Sequence, residues 1–200
     1  GMPVRLYDDL INKVGETNKK KYFNISVIGG SQGAKSFSNI IPRAIIKFQK
    51  KVNICCKVNH QSRKDDLNLV KNIYNSSEID SCVKIFFSDM PKRIFESDLI
   101  ISRSGSSTTN EIIYYGKPAI LIPYPYATDN HQYFNALVLE QILGSKIIHD
   151  KKLNVDDLYE EILDIFNNIH TKKELINSSF SRHSYINPCQ KIHDLIESDL

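Results

Sequence analysis

The sequence predicts an α/β fold: a Rossmann-like, doubly wound parallel sheet covered by helices on both faces. Three observations carry this. Short runs rich in Ile, Val and Phe recur six times along the chain. Stretches of helical period separate them; continuous apolar runs are what strands buried on both faces require. Loops rich in Gly, Ser, Asn and Asp follow most of the runs, as expected where a strand hands over to a helix.

The elements follow in order. Residues 1–21 read as an interdomain linker: "GMPVR" is turn-like, "LYDDLINKVG" is a short helix or extended connector, and "ETNKKK" is a solvated spacer. "YFNISVIGG" (22–30) is a buried strand ending in glycines. Residues 33–49 suit a helix in which Pro42 marks a kink or a fresh first turn. "VNICCKV" (52–58) is a strand, "DDLNLVKNIYN" a helix, and "CVKIFF" (82–87) a third strand. "DMPKRIFES" is a short helix with Pro91 in its first turn, followed by the strand "DLIIS" (98–102). "STTNEIIYYG" is a helix that Gly116 closes, and "PAILIP" is a fifth strand. "HQYFNALVLEQIL" is a helix ended by Gly144, and "SKIIH" is a sixth strand. Helical patterns at 154–168, 171–181 and 188–198 complete the chain. The division is a linker (1–21), a Rossmann-like domain (22–186) and a C-terminal helix (187–200).

Composition narrows the function classes. With 200 residues the chain suits one large domain. A net charge of +3 is compatible with phosphate-bearing ligands or an anionic membrane surface without demanding either. No nucleic-acid partner is expected. Cys55, Cys56, Cys82 and Cys189 form no CxxC pair, so neither a metal site nor a disulfide framework is expected. Cys55 and Cys56 should point to opposite faces of their strand. No apolar run is long enough to span a membrane.

In an open parallel sheet, ligands bind beyond the carboxyl ends of the strands. The loops at that edge are "GGSQGA" (29–34), "NHQSR" (59–63), "FSDM" (87–90), "SRSGSSTTNE" (102–111) and "PYPYATDNHQ" (123–132). "GGSQGA" is either a tight turn or a place where backbone approaches an anion. It is not GxGxxG, and no acidic residue ends the second strand, which disfavours a nicotinamide cofactor.

"SGSSTTNE" is the most informative stretch. Ser106, Ser107 and Thr108 present hydroxyls and N–H groups at a helix start, where the helix dipole favours a diphosphate by about 0.3–1 kcal/mol. Glu111 has two open readings: a partner of Thr108 in a capping box, or an acceptor for a ribose diol. Gln132 and Asn135, three apart on a helix, suit a sugar's hydroxyls, while Asp129 or Asn130 suits the N-cap of the same helix. His131 reads more readily as a hydrogen-bonding residue than as a base. No Ser-His-Asp group, zincin helix or Walker A motif is present.

Together "GGSQGA", "HQS", "FSDM", "SRSGSSTTNE", "GKPAILIPYPYATDNHQYFNA" and "GSKII", in this order and spacing, resemble the carboxyl-terminal domain of the MurG family. These are N-acetylglucosaminyltransferases that convert lipid I to lipid II in peptidoglycan synthesis. The resemblance covers nearly the whole chain. It implies one half of a GT-B fold, with UDP-N-acetylglucosamine as donor, no cofactor and no metal. The acceptor half, which would bind lipid I and meet the cytoplasmic side of the bacterial inner membrane peripherally, lies outside this chain.

By motif, the resemblance implies donor contacts from Arg5 in the linker, Ser31 in the first loop and the backbone at Phe87, a position often aliphatic in the family. Ser106, Ser107, Thr108 and Thr109 would cradle the phosphates. Glu111 would bind ribose, and Gln132 with Asn135 would read the sugar. Arg63 stands where glycine is usual, and His131 where glutamine is common. The implied reaction is inverting transfer to the 4-hydroxyl of lipid-linked MurNAc, with no catalytic base in this half. Two alternatives stay open: a GT-B enzyme with another acceptor, and a non-catalytic UDP-sugar-binding module.

Overall fold

The structure, a computed structural model, describes residues 22–29, 35–171 and 174. Arg5, Ser31, the linker and nearly all of the two last helical patterns lie outside the described residues.

Six strands form one sheet: β1 (Phe23–Ile28), β2 (Cys56–Gln61), β3 (Asp80–Lys84), β4 (Leu99–Ser102), β5 (Ala119–Leu121) and β6 (Lys146–Ile147). Every pairing is parallel and the order is β3-β2-β1-β4-β5-β6. Among the described residues six α-helices connect and cover them: α1 (Lys35–Val52), α2 (Leu67–Asn75), α3 (Met90–Glu96), α4 (Ser106–Tyr115), α5 (His131–Leu143) and α6 (Val155–Asn167). The doubly wound expectation is met.

Alternation along the central strands splits the interior in two. Phe23, Ile25 and Val27 of β1, with Leu99 and Ile101 of β4, face α1, α2 and α6. Ile28, Ile100 and Leu121 face α3, α4 and α5. The first core includes an aromatic triangle of Phe23, Phe48 and Phe166, with ring centroids 5.3–5.6 Å apart in tilted or edge-on contact.

Several boundaries differ from expectation. The second strand starts at Cys56, because α1 continues through Lys50, Lys51 and Val52 and ends in a turn at Asn53, whose φ is +54°. Cys55 therefore precedes the strand and is exposed, while Cys56, its first residue, is buried. The third strand stops at Lys84, where its partner β2 ends at Gln61. Ile85 and Phe86 therefore continue as loop, 48% and 67% exposed. Helix α1 runs unbroken through Pro42, whose missing N–H removes one bond to the Ser38 carbonyl. The sixth strand shrinks to two residues.

The strand order reverses between β1 and β4. That reversal opens a crevice at their carboxyl ends, the usual ligand position in such sheets. The join is tight: the Arg103 amide, first beyond β4, donates to the Ile28 carbonyl that ends β1, at 3.1 Å.

Candidate functional site

Helix α4 starts at this crevice. Its N-cap is Gly105, in extended backbone (φ −65°, ψ 149°), a residue with no side chain to cap the helix. The first intrahelical bond runs from the Thr109 amide to the Gly105 carbonyl at 2.9 Å. The amides of the preceding turn have no acceptor within the helix and point out of its start, carrying the positive end of the dipole. Of the two readings of Glu111, the capping box with Thr108 is not formed: the cap lies three residues earlier, so Thr108 is the third helical residue and Glu111 the sixth. Glu111 is half-buried, Ser106 and Ser107 are exposed, and Thr108 is half-buried. Thr109 differs from its three neighbours. It is buried, and its Oγ1 also donates to the Gly105 carbonyl at 2.9 Å, so both its donors are committed.

The expected sugar-reading pair holds loops in place. The Asn135 side-chain amide donates to the Ser104 carbonyl at 2.9 Å, and the Ser104 hydroxyl donates to the Gln132 carbonyl at 2.7 Å. These bonds lock the start of α5 to the loop that feeds α4. Gln132 Oε1 accepts from the Tyr124 amide at 3.0 Å, which ties the β5 exit loop to the same helix. The structure thus brings Gln132 and Asn135 beside the α4 start.

The approach to α5 is bent by two consecutive non-glycine residues with positive φ, Asp129 (+50°) and Asn130 (+52°). Asn130 holds the N-cap position, one of the two residues expected there, but makes no side-chain cap bond. His131 is exposed, with Nδ1 2.8 Å from the Thr128 carbonyl. That contact fits its reading as a local hydrogen-bonding residue.

Sequence reasoning missed Arg103. It sits in "SRSGSS", 8% exposed, and joins four elements. Its guanidinium donates to the Ile122 and Pro123 carbonyls at 2.9 and 3.1 Å. It forms an ion pair with Asp150 at 2.9 Å. It also lies over the Phe37 and Tyr124 rings at 4.8 and 5.5 Å. Asp150 in turn accepts from the Ser36 hydroxyl at 2.8 Å, in the first turn of α1. Burial draws the Arg103 pKa below its ordinary value, and Asp150 opposes that. The available signal was a lone charge directly after an apolar strand.

At the far side of the crevice, Phe87 is 3% exposed. Its ring packs under the Arg93 guanidinium, 4.4 Å from the centroid. Among the described residues, the Phe87 main chain makes no hydrogen bond. Arg63, from the loop after β2, pairs with Asp65 and Asp66 at 3.6 and 3.9 Å. A cavity of about 520 Å³ opens beside the β5 exit loop, walled by Tyr124, Tyr133, His149 and Lys151. Among the described residues no group of His, Cys, Asp and Glu is arranged to hold a metal ion, and no helix is long and apolar enough to cross a membrane.

The arrangement offers an anion site at a helix start, with carboxylate and amide side chains around it. The glycosyltransferase family 28 C-terminal domain matches this chain over residues 24–191. The chain belongs to this family. Among relatives of this glycosyltransferase domain is the UDP-N-acetylglucosamine--N-acetylmuramyl-(pentapeptide) pyrophosphoryl-undecaprenol N-acetylglucosamine transferase of Rickettsia felis, 40% identical over 152 residues, which cover 76% of this chain and 42% of the relative. The enzyme of the same name from Rickettsia bellii is 35% identical over 188 residues, 92% of this chain and 52% of the relative. In structure the chain is similar to MurG of Acinetobacter baumannii, with a TM-score of 0.76 and 27% identity, covering 96% of this chain and 52% of that one. A UDP-GlcNAc 2-epimerase from Neisseria meningitidis shares the fold alone, with a TM-score of 0.53 at 11% identity. The chain spans about half the length of these relatives. The architecture is that of one half of a GT-B glycosyltransferase, as the sequence led us to expect.

Proposed function

We propose that this chain is the donor-binding half of an inverting glycosyltransferase. It would move N-acetylglucosamine from UDP-N-acetylglucosamine to lipid-linked MurNAc-pentapeptide, lipid I, to make lipid II. One observation carries the reading: an α4 start whose N-cap is a glycine, at the point where the strand order reverses, in a family 28 domain.

In this reading the first-turn amides of α4, with Ser106, Ser107 and Thr108, receive the diphosphate. Thr109 shapes the turn from within. Glu111 accepts from the ribose hydroxyls, the Phe87 main chain meets the uracil, and Gln132 with Asn135 borders the hexose. The family resemblance would add Arg5 and Ser31, which lie outside the described residues. As the glycosidic bond breaks, negative charge grows on the departing UDP. Fixed amide dipoles already aimed there stabilise it without reorganising. His60, fully buried with its pKa lowered to about 3, does not suit a general base. The base, the lipid acceptor site and peripheral attachment to the cytoplasmic face of the inner membrane belong to the other half of the enzyme.

Calorimetry of the chain with UDP-N-acetylglucosamine and with NAD tests this. Heat of binding with the first and none with the second is expected. The reverse, or no heat with the UDP sugar, overturns it.

A further inference from the structure

We propose that Arg93 is a positioning residue for nucleobase selection, acting through Phe87; this rests on the donor-site reading above. Arg93 lies in α3, and its guanidinium reaches two other elements, β2 and the loop after β3. Nε donates to Asp89 Oδ1 at 3.0 Å, at the end of the loop after β3. Nη1 donates to Asn59 Oδ1 on β2. The guanidinium carbon lies 4.4 Å from the centroid of the Phe87 ring, and Lys84 Nζ lies 5.7 Å from the same ring.

Among the described residues the loop has no comparable second anchor. Ile85 and Phe86 are 48% and 67% exposed, whereas Phe87 is 3% exposed. The path of residues 85–89 therefore depends on where the Phe87 ring is held, and Arg93 holds it. A guanidinium plane stacks on an aromatic face and keeps its in-plane N–H groups for other partners. Here those partners are Asn59 and Asp89, so stacking and both hydrogen bonds are compatible. Arg93 in turn holds the Asp89 carboxyl below its ordinary pKa, keeping it charged at neutral pH.

What the anchor presents is the Phe87 main chain, one N–H and one C=O with no bond among the described residues. A donor and an acceptor side by side match the imide edge of uracil, which offers O4 and N3–H. Cytosine has the same shape but reverses both groups, presenting an amino group and an unprotonated ring nitrogen. A correctly held loop distinguishes the two; a loose one does not.

The test measures dissociation constants of the 200-residue chain for UDP and CDP by calorimetry. The unaltered chain is expected to prefer UDP. Arg93→Ala is expected to weaken UDP binding about tenfold and leave CDP within about twofold, so the preference collapses. Asn59→Ala, which removes one partner and leaves the stack, is expected to move the ratio the same way by a smaller factor. Equal weakening of both nucleotides, or an unchanged UDP-to-CDP ratio in Arg93→Ala, overturns the inference while the donor-site reading stands. Failure of the unaltered chain to bind UDP overturns both.

Discussion

Arg103 and Asp150 meet at 2.9 Å across the carboxyl edge of the sheet, 47 positions apart in the chain. The pair ties the loop that feeds α4 to the segment after β6, and through Ser36 to the start of α1. Its side chains are 9% and 21% exposed, so removing one partner strands a charge in a largely dry place. Asp150→Ala is expected to destabilise the domain by about 2 kcal/mol, read as a lower midpoint in urea unfolding with an unchanged slope. The same variant should weaken UDP binding, because the loop before Gly105 loses a support.

Gly105 sets up an opposition between stability and binding. Its backbone is already extended, and a Cβ there would meet nothing within 4 Å. Gly105→Asp therefore fits and can cap α4. The variant is expected to gain about 1 kcal/mol in stability, from the cap and the dipole together. It should also lose at least tenfold in UDP affinity, since its carboxylate occupies the amides and repels the diphosphate. Thermal melting and calorimetry on one preparation check both signs.

Gln132 separates sugar from nucleotide. Its side-chain oxygen is engaged by the Tyr124 amide, and its amide group is the part that can reach a sugar. Gln132→Ala is expected to raise the Kd for UDP-N-acetylglucosamine about tenfold, equivalent to about 1.4 kcal/mol, and to leave UDP within about twofold. Competition titration of the two ligands reads this directly.

His60 makes stability depend on pH. It is fully buried, its Nδ1 lies 3.0 Å from the Tyr74 hydroxyl, and burial lowers its pKa from 6.5 to about 3. The unfolded chain takes up a proton as pH falls through 6.5, and the folded chain does not until about 3. Protonation in that window therefore favours unfolding, and stability falls as pH falls, by about 1.4 kcal/mol per pH unit. Urea unfolding of the unaltered chain and of His60→Gln at pH 6 and pH 4 should differ by that slope.

Local signals in the sequence were followed closely by the structure. The α5 bounds, His131–Leu143, match the apolar period, and Gly116 and Gly144 close α4 and α5 with φ of +55° and +62°. Long-range pairing was not legible. Nothing local says that β1 lies between β2 and β4, and the ends of β2 and β3 are set by their partners as much as by their own residues. For the site, the loops were evident from their glycines and hydroxyls. The cap was not, because Thr108 and Glu111 imitate a capping box while Gly105, without a side chain, starts the helix earlier. Arg103 and Arg93 were invisible as hubs because their partners are distant in sequence: Asp150 for the one, Asn59 for the other.

The most direct test follows backbone amide shifts of the isotope-labelled chain during titration with UDP. Diphosphate binding at the α4 start predicts saturable shifts largest at Ser106, Ser107 and Thr108, with smaller ones at Phe87 and Glu111. Saturable binding that leaves those three amides unmoved, with the largest shifts elsewhere, would contradict it.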